Sequence, residues 1–340
     1  MKVAFFVNDV ATEDSEYATT RLAMATAKLD HEVWFVGVGD VDYATDETMH
    51  ARGHRAVYVQ GDELKPFLER TQEEQRCDEI VLDGFDAVWL RNDTMEDMQD
   101  RPWAASVGVV FGQMLAARGV TVVNDPTGLS RAGSKLYLQE FPAEVRPRCI
   151  VTRSADEIQR FVSETGHTVV KPLYGAKGKN VFMIDGAEDP NLSQMVAAVL
   201  EEGYAIAQEF VTGGEEGDLR LFLLDGELMQ VNGEYAAVRR VPQGNDLRAN
   251  ISAGAKPERA EIGESELAVV DALKDRLVAD GMFFVGIDVI GDKVVEINAE
   301  SPGGLQSVEH FTGIDFGITV CEALERRVGS WPAAVQRKVS

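Results

Sequence analysis

Cysteine is scarce in this 340-residue chain: Cys77, Cys149 and Cys321 stand apart, with no CxxC pair. Neither a disulfide framework nor a cysteine-held zinc site is indicated, and the pattern fits a reducing cytosol. The five histidines are scattered and form no HExxH, which argues against a histidine-bound metal. No apolar run approaches the roughly 20 residues a bilayer span needs. Met1-Lys2-Val3-Ala4-Phe5-Phe6-Val7-Asn8-Asp9 reads as a strand ending in an acidic turn, and no small-residue cleavage site follows it, so a signal peptide is not expected. No GxGxxG follows either, which argues against a dinucleotide site. Positive charge is also short. Lys and Arg total 33 against 57 Asp and Glu, a net charge of −24. Nucleic acid and anionic membranes both reward positive surface, so neither is an expected partner. Acidic residues crowd Glu13-Asp14, Glu73-Glu74 and Glu258 to Glu266. A solvated, solubilising surface explains them; a high-salt habitat is a second explanation, because screening makes self-repulsion easier to bear.

What is present is a soluble globular composition, 45% apolar and 26% charged, with enough chain for two or three subdomains. Residues 1–125 alternate apolar strands (Val3 to Val7, His31 to Val38, Ala87 to Arg91, Val120 to Val123) with helix-length segments, the pattern of a parallel α/β sheet. Active residues in such sheets sit at the carboxyl ends of strands. Asn8-Asp9, Arg91-Asn92-Asp93 and Asn124-Asp125-Pro126 fall there. Pro126 and Gly128 mark a turn into a second stretch, 126–212, of helix, short strands and a hinge. A third, 213–330, reads as a sheet with flanking helices.

Chemistry concentrates in the second and third stretches. Gly286-Ile287-Asp288-Val289-Ile290 and Val294-Val295-Glu296-Ile297-Asn298 read as a hairpin around a Gly291-Asp292 turn. Strand alternation projects Glu296 and Asn298 to one side, and pairing brings Asp288 beside them. Two carboxylates and an amide oxygen suit Mg²⁺, which takes few protein ligands plus substrate phosphates; plain solvation of a polar face fits the hairpin equally well. Upstream, Thr168-Val169-Val170-Lys171-Pro172 is a strand ending in a lysine. Leu173-Tyr174-Gly175-Ala176-Lys177-Gly178-Lys179-Asn180 follows, and then a second strand. Glycines let backbone N–H groups approach a polyphosphate and lysines neutralise it, as in a flap over phosphates and unlike a Walker loop. Ala207-Gln208-Glu209-Phe210-Val211 can offer backbone groups and Phe210 to an adenine edge. Asp218-Leu219-Arg220 opens a strand near ribose and phosphate. Arg239-Arg240-Val241-Pro242-Gln243-Gly244 reads as a paired-arginine turn, followed by Leu247-Arg248-Ala249-Asn250. Guanidinium forks match phosphate and carboxylate oxygens; surface salt bridging is the alternative use.

In this order Ser134-Lys135, Val170-Lys171-Pro172 with its glycine loop, Gln208-Glu209-Phe210 and Asp288…Glu296-Ile297-Asn298 resemble an ATP-grasp ligase. Glu216-Gly217-Asp218-Leu219-Arg220, Arg240-Val241-Pro242-Gln243-Gly244, Arg248-Ala249-Asn250-Ile251 and Phe284-Val285-Gly286-Ile287-Asp288 narrow the resemblance, over nearly the whole chain, to the bacterial glutathione synthetases. That resemblance implies an ATP-grasp fold behind an N-terminal Rossmann-like domain, and a soluble cytoplasmic enzyme that is a homodimer or homotetramer. ATP would be the co-substrate, with Mg²⁺, or Mn²⁺ in its place, held by Asp288, Glu296 and Asn298. Lys135, Lys171, Gly175, Lys177 and Gly178 would meet the phosphates. Gln208, Glu209, Phe210, Val211 and Asp218 would meet the nucleoside. Arg220, Arg240 and Arg248 would stabilise the transferring phosphoryl group and an acylphosphate. Arg91, Asn250, Ser301, Gly303 and Gly304 would meet the other substrates.

Two departures bear on those substrates. After Asn298 the chain reads Ala299-Glu300-Ser301-Pro302-Gly303-Gly304-Leu305-Gln306, whereas the family commonly has Thr-Ser-Pro-Thr and then an Ile-Arg-Glu run. Gly303-Gly304-Leu305 looks more like relatives of RimK type that add amino acids to other acceptors. Arg91-Asn92-Asp93 replaces the more usual Arg-Lys-Asp. The expected activity is thus joining γ-glutamylcysteine to glycine. The alternatives are a related carboxylate–amine ligase and a nucleotide-binding protein without catalysis.

Overall fold

An all-apolar run such as Val3–Val7 suits a strand covered on both faces, and it lies at the centre of the first sheet. The computed structural model describes residues 1–174, 180–242 and 254–330. Six strands, β1 (Lys2–Val7), β2 (Glu32–Tyr43), β3 (Met49–Ala56), β4 (Cys77–Val81), β5 (Ala87–Leu90) and β6 (Thr121–Val123), take the order β4-β3-β2-β1-β5-β6. The expected parallel pairing holds for β2, β1, β5 and β6. Strands β3 and β4, absent from the sequence reading, add on antiparallel. Their polar residues, Arg52, His54 and Arg55 on one and Asp78 and Glu79 on the other, hide the apolar pattern because the sheet margin is solvated there. Strand order reverses on either side of β1, which opens a crevice at the carboxyl ends of β1 and β5.

The expected turn at Pro126 is instead the start of a helix, Pro126–Ala132, capped by Asp125, whose carboxylate accepts from Thr127 and Gly128 N–H. Proline at the first helical position sacrifices no intrahelical bond. The second sheet, β7 (Cys149–Thr152), β8 (Thr168–Pro172), β9 (Phe182–Ile184) and β10 (Ala205–Glu209), is antiparallel in the order β7-β10-β8-β9. Helices Ala155–Thr165 and Leu192–Glu201 bury Ile158, Phe161, Val162, Val196 and Val199 against it.

The third sheet is built from β11 (Asp218–Leu224), the short β12 (Glu227–Leu228), β15 (Ala237–Val241), β16 (Lys256–Arg259), β17 (Phe284–Ile290) and β18 (Lys293–Asn298). The two-residue strands β13 (Gln230–Val231) and β14 (Glu234–Tyr235) pair separately. Order β16-β15-β11-β17-β18 places β17 between β11 and the hairpin partner β18.

Buried groups clamp the third sheet to the first. The Asn124 amide donates to Phe284 O at 3.0 Å and Ala299 O at 2.6 Å, and Phe284 N–H donates to Asn124 Oδ1 at 2.8 Å. Trp89 stacks on Phe5 and meets Phe283 and Phe284 edge-on, at centroid distances of 5.5, 5.7 and 6.1 Å. Helix Phe316–Ser330 then returns to pack on helix Ala18–Lys28, with Cys321 Sγ 2.9 Å from Thr26 Oγ1. No helix among the described residues is long and apolar enough to cross a membrane.

Candidate active site

Strand alternation and register together assemble a row of charges on one face of the third sheet. Asp218 lies opposite Arg240, Arg220 opposite Asp288, and Asp288 opposite Glu296; Asn298 follows on the same side of β18. Arg240 grips Asp218 with both forks, Nε to Oδ1 at 2.7 Å and Nη2 to Oδ2 at 2.6 Å. Its Nη2 also lies 2.7 Å from Asp288 Oδ2. Arg220 donates to both Asp288 oxygens, with Nη2 to Oδ2 at 2.9 Å, and through Nη1 to Gly303 O at 3.1 Å. All four charged residues are buried, Asp288 at 2% exposure. Burial works to raise the Asp288 pKa, yet Arg220 and Arg240 outweigh it and hold the carboxyl well below its ordinary value. Burial and the Asp288 charge push the Asp218 carboxyl above its ordinary value, against the pull of Arg240 and Arg220.

Gly286 makes this packing possible. A Cβ there would come within 2.8 Å of Pro302 Cβ and 3.0 Å of Arg220 Cδ. At the far end, a two-residue turn joins Ile290 to Lys293, with Gly291 at φ +56° as the turn requires.

The second sheet supplies the cations. Lys171, on β8, and Lys135, which follows the Ser134 cap and reaches Pro172 O at 3.3 Å, share one cavity with Glu296. Burial lowers both lysine pKa values, and Glu296 opposes it. Gln208, Glu209, Phe210 and Val211 line the same wall. The backbone N–H groups of Glu209 and Phe210 are engaged by Arg148 O at 2.9 Å and His167 O at 3.0 Å, so those donors do not face an adenine edge. Gly175, Lys177, Gly178, Arg248 and Asn250 lie outside the described residues.

The first sheet provides the third wall. Arg91 is 2% exposed; its Nε donates to Thr19 Oγ1 at 3.2 Å and its Nη1 to Glu300 O at 3.3 Å. Thr94 fastens the Glu300 carboxylate, with Oγ1 donating at 2.6 Å and N–H at 3.1 Å. Burial pushes Glu300 up to about 7. The altered loop after Asn298 is therefore tied at both sides, by Thr94 and Arg91 at Glu300 and by Arg220 at Gly303. Ser301, Gly303 and Gly304 line the cavity, whose volume is about 1140 Å³.

Of the residues expected to bind ATP, metal or the other substrates, those that the structure describes all line this one cavity, whereas Asp9, Asn92, Asn124 and Asp125 at the strand ends do not. Arg239 and Arg240 lie on β15 and not in a turn. Alternation sends Arg240 to the buried row and Arg239 outward, where its Nη2 is 3.5 Å from Glu216 Oε2. Asp218 gives both oxygens to Arg240 and lines the same cavity. Glu13 also lines the cavity, although the sequence grouped it with the acidic surface; its place just past the carboxyl end of β1 is the one available signal. Among the described residues no three His, Cys, Asp or Glu side chains form a metal cage by themselves. Asp288, Glu296 and Asn298 offer an incomplete hard-oxygen set instead, which fits a divalent ion completed by substrate phosphates.

The prokaryotic glutathione synthetase N-terminal domain matches residues 1–130, and the ATP-grasp domain of the same enzymes matches residues 134–313. The chain belongs to the prokaryotic glutathione synthetase family. The glutathione synthetase of Synechococcus elongatus is 30% identical, covering 96% of this chain and 99% of its own length. That of Agrobacterium fabrum is 33% identical over 88% of this chain and 95% of its own. Among solved structures, the D-cycloserine synthetase DcsG superposes with a TM-score of 0.63 at 17% identity, covering 96% of this chain and all of the other. The ATP-grasp ligase PsnB gives 0.59 at 18% identity, covering 96% of this chain and 99% of the other. These two share the ATP-grasp fold. As a family member the protein is an ATP-dependent carbon–nitrogen ligase; its family acts on small molecules with ATP and a divalent metal.

Proposed function

We propose that this ligase joins γ-glutamylcysteine to glycine, converting ATP to ADP and phosphate. The observation that carries this reading is the single cavity in which a paired row of buried charges meets two half-buried lysines. In the proposed chemistry the γ-phosphoryl group passes to the dipeptide's cysteinyl carboxylate and ADP leaves. The glycine amine then attacks the acyl carbon, and phosphate departs with one former carboxylate oxygen.

Phosphoryl transfer calls mainly for positioning and charge stabilisation. Lys135 and Lys171 are desolvated cations, so a polyphosphate restores the favourable surroundings that burial removed. Arg220 and Arg240 would stabilise charge on the moving phosphoryl oxygens, and Asp218 fixes Arg240 in place. Gln208, Glu209, Phe210 and Val211 would meet the adenine by side chains and by backbone groups other than the two engaged N–H donors. Asp288, Glu296 and Asn298 would hold the divalent ion, Mg²⁺ in preference to Mn²⁺, which when bound neutralises phosphate charge. Gly175, Lys177, Gly178, Arg248 and Asn250 keep their expected roles at phosphate and acceptor. We further read the chain as three units (1–125, 126–212 and 213–330) that oligomerise as a homodimer or homotetramer in the cytoplasm, in keeping with the family resemblance.

A second reading, ligation of another acid to another amine, is favoured by one feature: the loop Glu300 to Gly304 lacks the arginine expected there. Mg²⁺-dependent ADP release with γ-glutamylcysteine and glycine, assayed at low and high salt with the product weighed, separates the two. Glutathione formed at roughly 1 s⁻¹ or more supports the first. ATP binding without that product leaves the second.

A further inference from the structure

Two buried atoms of opposite charge type on the first-sheet wall lack hydrogen-bond partners among the described residues: Glu13 Oε1 and Arg91 Nη2. Both residues line the catalytic cavity. The Arg91 guanidinium does not drift, because Thr19 and Glu300 O anchor its Nε and Nη1 and the Trp89 and Phe284 rings lie 5.9 and 5.8 Å from it. Leaving such groups unpaired in a buried wall is costly, and a ligand carrying both complementary charges would satisfy them together. We infer that Glu13 and Arg91 form a receptor for an α-amino-acid headgroup, with Glu13 accepting from its ammonium and Arg91 donating to its carboxylate. Resting on the ligase reading above, this makes Glu13 the residue that selects acids bearing a free α-amine.

Burial raises the Glu13 carboxyl to about 7, with Asp14 and Glu96 pushing the same way and Arg91 opposing. An ammonium seated against it reverses that cost. A charge-assisted hydrogen bond lost from a buried site corresponds to about 10- to 100-fold in affinity.

The test compares γ-glutamylcysteine with glutarylcysteine, the same molecule without its α-amine, in the wild-type enzyme and in Glu13→Gln. The wild type should favour γ-glutamylcysteine about 10- to 100-fold in kcat/KM, mostly through KM. Glu13→Gln should erase that preference, bringing γ-glutamylcysteine down to the level of glutarylcysteine. Equal use of both acids by the wild type, or an equal loss for both in the variant, overturns the assignment and leaves the ligase reading standing. Absence of γ-glutamylcysteine turnover rejects that dipeptide alone. L-glutamate against glutarate, measured by calorimetry with ADP present, then decides: a tenfold preference for glutamate that Glu13→Gln removes sustains the receptor, and equal binding refutes it.

Discussion

Two walls of one cavity use charge in opposite ways. On the third sheet every buried charge in the row Arg240, Asp218, Arg220, Asp288 meets its counter-charge at hydrogen-bond distance. On the first sheet Arg91 and Glu13 each keep a buried polar atom unpaired. A fully paired cluster is rigid, with its geometry fixed before substrate arrives, as phosphoryl transfer requires. An unpaired couple stores a desolvation cost that only the right ligand relieves, and this suits selection among substrates. The difference separates catalysis from specificity within a single cleft.

The sharpest way to break the contrast is Asp288→Asn. It strands the buried Arg220 guanidinium and takes from Arg240 one of its two counter-charges, so the expected result is loss of ADP release by 10³-fold or more, together with about 3–5 kcal/mol of stability. Thermal unfolding and turnover should therefore fall together. Glu296→Gln should abolish ADP release to a similar degree with little change in unfolding temperature, because no arginine among the described residues depends on Glu296. Near-normal turnover would remove Glu296 from the metal set. A subtler change is Gly286→Ala, whose added methyl presses on Arg220 Cδ and Pro302 Cβ. It should lower kcat about tenfold at nearly constant KM for ATP, as expected when only transition-state contacts are displaced.

The smallest effect lies on the unpaired wall. A carboxyl whose folded pKa is raised to about 7 binds more protons folded than unfolded between pH 4.5 and 7. Stability therefore rises as pH falls through that window. Replacing Glu13 by Gln should flatten the profile by about 1–3 kcal/mol across it, read as the difference between wild-type and variant unfolding curves. An unchanged profile would mean that water reaches Glu13 freely.

The paired wall was largely legible in the sequence, and the unpaired one was not. Asp288, Glu296 and Asn298 sit in one hairpin, where a two-residue turn and a period of two determine which side chains share a face. Asp218 and Arg220 follow the same rule. Arg239-Arg240 misled because Pro242-Gln243-Gly244 reads as a turn, while the strand runs on to Val241. Strands β3 and β4 escaped notice because their charges mask alternation at a solvated margin. Glu13 stands within an acidic loop that has no periodicity, and only the strand order around β1 brings it to Arg91. Local pattern reveals residues that one element positions; residues joined by topology appear once the sheet is assembled.

The ligase reading is tested most directly by following oxygen through the reaction. γ-Glutamylcysteine labelled with oxygen-18 in its cysteinyl carboxylate is turned over with glycine, ATP and Mg²⁺, and the released phosphate is weighed. One labelled oxygen in phosphate for each amide formed is the expected result, since an acylphosphate transfers a carboxylate oxygen to the departing group. Amide formation with unlabelled phosphate, or with AMP in place of ADP, would contradict it.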